Sequence, residues 1–73
     1  MEEFLILKIE ELAFTTVQKD DPLLSSKILD SITVVELVSE IESHYSVTIP
    51  FNEIVEEHFE TVSKIANYIS SKK

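Results

Sequence analysis

Apolar residues recur at steps of three and four along three stretches of the chain, which is the period of an amphipathic helix. The clearest stretch starts at Ser31 and runs to about Tyr45. Its Val34, Leu37, Val38, Ile41 and Tyr45 fall within about a third of the circumference at about 3.6 residues per turn, so this stripe predicts core. Before it, Glu3 to about Val17 predicts a helix with Leu5, Ile9, Leu12 and Ala13 in register. Phe4, Leu7 and Phe14 lie off that register, so this helix is apolar around much of its surface. Towards the C-terminus, Thr61 to Ser70 repeats the pattern through Val62, Ile65, Ala66 and Ile69.

The connections are equally legible. Gln18 to Asp30 contains Asp20-Asp21-Pro22 and Ser25-Ser26, turn formers that cannot continue a helix. Its Leu23, Leu24, Ile28 and Leu29 predict that this loop folds back over the core. "SVTIPF" predicts a short extended stretch, because Pro50 pushes Ile49 away from helical geometry. "FNEIVEEHF" then predicts a short helix with Phe51, Ile54, Val55 and Phe59 turned inward. Nothing alternates over strand length. The expected fold is all-α, a bundle of four helices, three longer and one short.

Composition limits what such a bundle can do. The chain has 73 residues, 44% of them hydrophobic, which predicts one small globular domain spanning 1–73. A chain of this size buries only about 60% of its unfolded surface, so a large enclosed active site is not expected. The absence of cysteine removes disulfides and thiolate metal sites. A formal net charge of −8 disfavours nucleic acid and anionic membrane surfaces and favours basic partners. No apolar run reaches membrane-spanning length, and the N-terminus lacks the pattern of a secretory signal. The expectation is a cytoplasmic monomer that does not insert into membranes.

Candidate chemistry concentrates at Asp30-Ser31, directly before the clean amphipathic stripe. Both residue types favour helix N-termini, where a side-chain oxygen accepts from an orphan backbone N–H. A cap alone would explain them. However, Ile32 and Val35 fall opposite the core stripe, near Glu36, Ser39 and Glu42, where a surface helix is normally polar. Either that pair is a docking face, or it is buried under the preceding loop or exposed as ordinary isolated surface residues. A serine hydrolase would require a glycine-flanked elbow, and the chain has no glycine. His44 and His58 could join Glu53 or Glu57 at a metal, but no metal-site spacing supports this, and both histidines are expected at the surface. Glu2-Glu3 and Glu56-Glu57 read as solvated charge, and Lys72-Lys73 as a frayed basic end.

At Asp30-Ser31-Ile32 the sequence resembles the acyl carrier protein family, whose signature is Asp-Ser-Leu at the start of the second helix. The resemblance continues through "TVVELVSEIE", "VTIP" and "FETVSKIANYI", and covers about Leu24 to Ile69. An ordered set of motifs is far more specific than a lone Asp-Ser pair. It implies a non-catalytic carrier with 4′-phosphopantetheine, donated by coenzyme A, attached to Ser31. It further implies that a phosphopantetheinyl transferase recognises Asp30, which also helps to position metal during transfer. The arm's thiol then holds acyl or aminoacyl groups as thioesters for loading and transfer enzymes of fatty acid, polyketide or related biosynthesis. Ile32, Val35, Glu36, Ser39 and Glu42 would form the face offered to basic docking surfaces on those partners.

The departures from the family pattern are specific. Lys27 stands where a loop glycine is common, Thr33 stands where many fatty-acid carriers have an acid, and the segment from Pro50 to Thr61 is slightly longer. With Ile28-Leu29 ahead of Asp30, these features resemble specialised carriers, including D-alanyl and other aminoacyl carriers. The alternative from a different functional class is an unmodified acidic interaction module that keeps the carrier fold. A phosphodiester on Ser31 would lie at the positive end of a helix dipole, close to unsatisfied N–H groups.

Overall fold

The computed structural model describes residues 1–72. Among these residues the chain forms α1 (Glu2–Ala13), α2 (Ser31–Tyr45), α3 (Glu56–Phe59) and α4 (Val62–Lys72), with a 3₁₀ turn at Phe51–Glu53 before α3. No strand occurs among the described residues, and the bundle has the predicted three longer helices and one short one.

The core takes one stripe from each long helix. Leu5 and Ile9 of α1 meet Leu37 and Ile41 of α2 and Val62, Ile65 and Ile69 of α4, all removed from solvent. Phe59, the largest fully buried side chain, fills the centre from α3. Leu23 and Leu29 are buried too, so the long connection does fold over the core. Removing such side chains from water is the main favourable term in folding a chain this short.

Contacts across the bundle set the direction of its helices. Phe4 stacks on His44 at 4.0 Å between ring centroids and meets Tyr45 edge-on at 5.5 Å. Lys8 Nζ lies 3.5 Å from a Glu40 carboxylate oxygen. Partner numbers on α2 fall as those on α1 rise, so the two helices are antiparallel. The same register carries the start of α2 towards the C-terminal end of α1, away from the aromatic cluster.

Helix α1 ends at Ala13 rather than continuing to Val17. Phe14 takes left-handed geometry with φ 57°, and its N–H donates back to the Glu10 carbonyl at 2.9 Å. The Glu10 carboxylate then captures the Val17 N–H at 3.1 Å, turning Val17 into the core. Phe14 is left 92% exposed. No glycine marks this stop, which is why periodicity alone overran it.

The segment after Pro50 also departs from expectation. Phe51 and Val55 point outward, at 82% and 41% exposure. Val55 is extended, with φ −133°, and separates the 3₁₀ turn from α3 instead of joining them into one helix. Ile54 and Phe59 do turn inward. Polar contacts replace the missing apolar ones: the Tyr68 hydroxyl donates to Glu53, whose carboxylate also pairs with Lys72 at 3.2 Å. Both bonds hold the Glu53 carboxyl below its usual range, the Tyr68 hydroxyl contributing most. Burial, followed by the Glu53 bond, pushes the Tyr68 phenol upward. Lys72 is therefore tied down rather than frayed, while Lys73 lies outside the described residues.

Lys27 adopts the left-handed geometry that the missing glycine would take, with φ 64°. The turn closes normally around it, with Lys27 N–H bonding Leu24 O at 3.1 Å and Leu29 N–H bonding Leu23 O at 2.9 Å. A Cβ in this region costs about 1–2 kcal/mol. Glycine removes that cost but widens the unfolded ensemble by about 0.4–1 kcal/mol. Lys27→Gly is therefore expected to stabilise the fold by up to about 1.6 kcal/mol, read as a raised urea midpoint with an unchanged m-value.

Candidate modification site at the start of helix α2

Helix α2 starts where it does because Asp30 caps it. Asp30 is extended, at φ −100° and ψ −173°, and its Oδ1 accepts from the backbone N–H of Ile32 at 3.0 Å and of Thr33 at 2.7 Å. The Thr33 hydroxyl donates to the same oxygen at 2.8 Å. These bonds stabilise the carboxylate form and hold the Asp30 carboxyl below its usual range, chiefly through the Thr33 N–H and then its hydroxyl. The first intrahelical bond, Val34 N–H to Asp30 O, follows at 2.9 Å.

Capping therefore belongs to Asp30 and leaves Ser31 exposed as the first residue of the helix. Among the described residues no hydrogen bond engages its hydroxyl. The helix start differs from expectation in one respect: the Ile32 and Thr33 N–H groups are already taken by Asp30. A phosphodiester on Ser31 would gain the field of the helix dipole but not those two donors.

The connection leading to this site is seated by residues at the α3–α4 junction. Leu23 N–H donates to the Glu60 carbonyl at 2.6 Å. Leu24 and Ser25 N–H both donate to Glu60 Oε1, at 3.0 and 3.1 Å. The Ser25 side chain does most to hold the Glu60 carboxyl below its usual range, and the Ser25 and Leu24 N–H groups add to it. Ser63 N–H adds a bond to Lys19 O at 3.2 Å. Sequence reasoning missed Glu60, since its partners lie 36 and 35 residues away and no local spacing reveals them.

The candidate docking residues separate into groups. Ile32 and Val35 are 71% and 49% exposed, so the preceding loop does not bury them. Glu36 and Ser39 are exposed beside them. Glu42 is half-buried, and its carboxylate accepts the Ile49 N–H at 2.8 Å, fastening the chain after α2. Glu40 pairs with Lys8. Among the described residues Glu36 is thus the one acid of α2 without an ion pair or hydrogen bond from its carboxylate.

Both histidines sit against aromatic rings. His44 stacks on Phe4, and His58 is half-buried with its ring 4.6 Å from that of Tyr68. Among the described residues no three His, Cys, Asp or Glu side chains are grouped to hold a metal ion. No helix among them is long and apolar enough to cross a membrane. An open groove of about 440 Å³ lies along Glu2, Glu3, Ile6 and Val17 to Lys19, and none of the motif residues lines it.

Comparison with known proteins agrees with this geometry. Residues 5–69 match the family described as phosphopantetheine attachment site. Over 67 residues the chain is 36% identical to the D-alanyl carrier protein of Streptococcus suis, covering 89% of this chain and 85% of that one. Over 51 residues it is 35% identical to the D-alanyl carrier protein of Streptococcus mutans, covering 70% and 65%. The chain belongs to the acyl carrier protein family, the carriers built on a phosphopantetheine-attachment domain. Its cofactor is a covalently attached 4′-phosphopantetheine. An attachment oxygen must be accessible and uncommitted, and the Ser31 hydroxyl satisfies both conditions.

The Glu60 clamp is testable without any partner. Glu60→Ala is expected to remove hydrogen-exchange protection from the Leu24 and Ser25 amides while sparing those in the middle of α2. Acid should act similarly. Because the folded pKa is depressed, the carboxylate's stabilisation is complete above the unfolded value of about 4.3 and is lost as pH falls through the folded value. Exchange at these two amides should therefore accelerate, relative to the α2 core, below about pH 4.

Proposed function

We propose that Ser31 is the residue that carries the phosphopantetheine arm, and that the chain delivers aminoacyl cargo, D-alanine first, between partner enzymes. The observation that supports the attachment point is an exposed, uncommitted hydroxyl at the first position of α2, beside an aspartate that already caps the helix. In the transfer, Ser31 Oγ attacks the β-phosphorus of coenzyme A. A new O–P bond forms, the bond to 3′,5′-ADP breaks, and the hydroxyl proton passes to the transferase or to solvent. When bound, the arm supplies a terminal thiol on which cargo is held as a thioester.

This chain's own part is presentation. Tethered cargo reaches successive enzymes at high effective concentration, so each encounter needs only modest affinity. Ile32 and Val35 supply apolar contact at the docking face, Glu36 and Ser39 its polar rim, and Glu42 borders it from a fixed position. Basic grooves on the transferase and on loading and transfer enzymes would complement this face. The name shared by the Streptococcus relatives supports D-alanyl cargo over fatty acyl cargo. An unmodified interaction module is the competing outcome.

The decisive experiment is intact-protein mass after incubation with coenzyme A, Mg²⁺ and a broadly acting phosphopantetheinyl transferase. Wild type should gain one phosphopantetheine and Ser31→Ala none. No gain with several transferases on folded wild type would leave the chain an interaction module. The modified chain should then accept D-alanine from an ATP-dependent D-alanine-activating ligase. Acceptance of fatty acyl groups alone would overturn the cargo assignment. Val35→Lys and Glu36→Lys should each slow arm transfer about tenfold with helicity retained, and unchanged kinetics in both would remove the docking face.

A further inference from the structure

Asp30 holds its carboxylate in a lopsided way. Three donors converge on the single oxygen Oδ1: Ile32 N–H at 3.0 Å, Thr33 N–H at 2.7 Å and Thr33 Oγ1 at 2.8 Å. The backbone donors belong to any helix capped by aspartate. The hydroxyl bond depends on the residue at position 33, since an ionised acid there would have no hydrogen to donate. An acid three residues after Asp30 would also repel it across the first turn. Threonine reverses that interaction.

We infer that Thr33 is a positioning residue for the modification of Ser31: its hydroxyl locks the Asp30 carboxylate with Oδ1 committed, leaving Oδ2 as the oxygen offered to the Mg²⁺-bearing co-substrate. The inference rests on Ser31 being the modified residue. Asp30 is exposed, so with backbone bonds alone its carboxylate could rock about the cap. A third bond on the same oxygen restrains that rocking, and Thr33 itself is half-buried, which limits its own rotamers. Its β-branched side chain has few χ1 choices in a helix, and one of them aims the hydroxyl back at the preceding turn. A hydrogen bond of this kind corresponds to about a three- to tenfold effect on a rate that depends on the orientation it fixes.

The test compares wild type with Thr33→Val, which keeps shape and β-branching, and Thr33→Ser, which keeps the hydroxyl. In the unmodified chain, the Asp30 carboxyl is titrated by carbon-detected NMR. In parallel, kcat and KM for phosphopantetheine addition are measured with coenzyme A, Mg²⁺ and a broadly acting transferase. Thr33→Val should raise the Asp30 pKa, because a bond favouring the ionised form is lost. It should also lower kcat about three- to tenfold with the KM for the carrier unchanged, while Thr33→Ser restores both. A purely structural role would instead alter helicity and KM together. Wild-type kcat in a folded Thr33→Val chain, or loss through KM alone, would overturn the inference. If Thr33→Val lowers helicity, Thr33→Ala with the same readouts replaces it. Failure of the Ser31 assignment reads differently: wild type gains no arm, or Ser31→Ala still gains one.

Discussion

Glu60 is the residue on which the geometry of the site depends. Its carbonyl takes Leu23 N–H and its carboxylate takes Leu24 and Ser25 N–H, so one residue at the α3–α4 junction fixes the turn leading to Asp30. Without these bonds three consecutive amides of that turn would need other partners, a cost that backbone donors near the core rarely tolerate. The contact is polar, but it puts Leu23 and Leu29 into the core. Hydrophobic burial then holds what the hydrogen bonds aim. The beginning of α2 is thus set by the α3–α4 junction as well as by its own cap.

Asp30 and Ser31 divide two tasks that their chemistry would let either perform. Aspartate is the stronger acceptor for backbone N–H groups when ionised, and it takes the cap. Serine, relieved of capping, keeps its hydroxyl in solvent. The arrangement also places the negative Asp30 beside the atom that, in the proposed function, receives a phosphodiester. Two features moderate the repulsion: the field of α2, and the hydrogen bonds that already neutralise part of the carboxylate's demand. The same economy runs along α2, where Glu40 and Glu42 are engaged by Lys8 and Ile49 and Glu36 is left outward.

Much of this was legible in the sequence where the signal is periodic or local. Helix α2 runs from Ser31 to Tyr45 as its stripe and its Asp-Ser start predict. The Asp30 cap, the inward leucines of the connection and the Val62, Ile65 and Ile69 face of α4 follow from the same rules. The errors cluster where the physics is not periodic. Helix α1 stops at a phenylalanine in left-handed geometry, a conformation usually announced by glycine. Phe51 and Val55 are apolar yet outward, because Val55 is extended and Glu53, Tyr68 and Lys72 secure the segment by polar contacts. Tyr68 falls outside the apolar set read from α4, yet it is buried. Glu60 and the second role of Thr33 depend on which atoms meet in space, and residue types alone do not specify that.

The span of the Glu60 contact has a consequence for how the protein is made. The bond from Leu24 joins residues 36 apart, so it cannot form on a ribosome until the α3–α4 junction has left the exit tunnel. Helix α2 and its cap are local and can form earlier. Until then the Leu24 and Ser25 amides lack their Glu60 partner. The turn before Ser31 reaches its final geometry only after Glu60 is available to it, 36 residues later in the chain than Leu24.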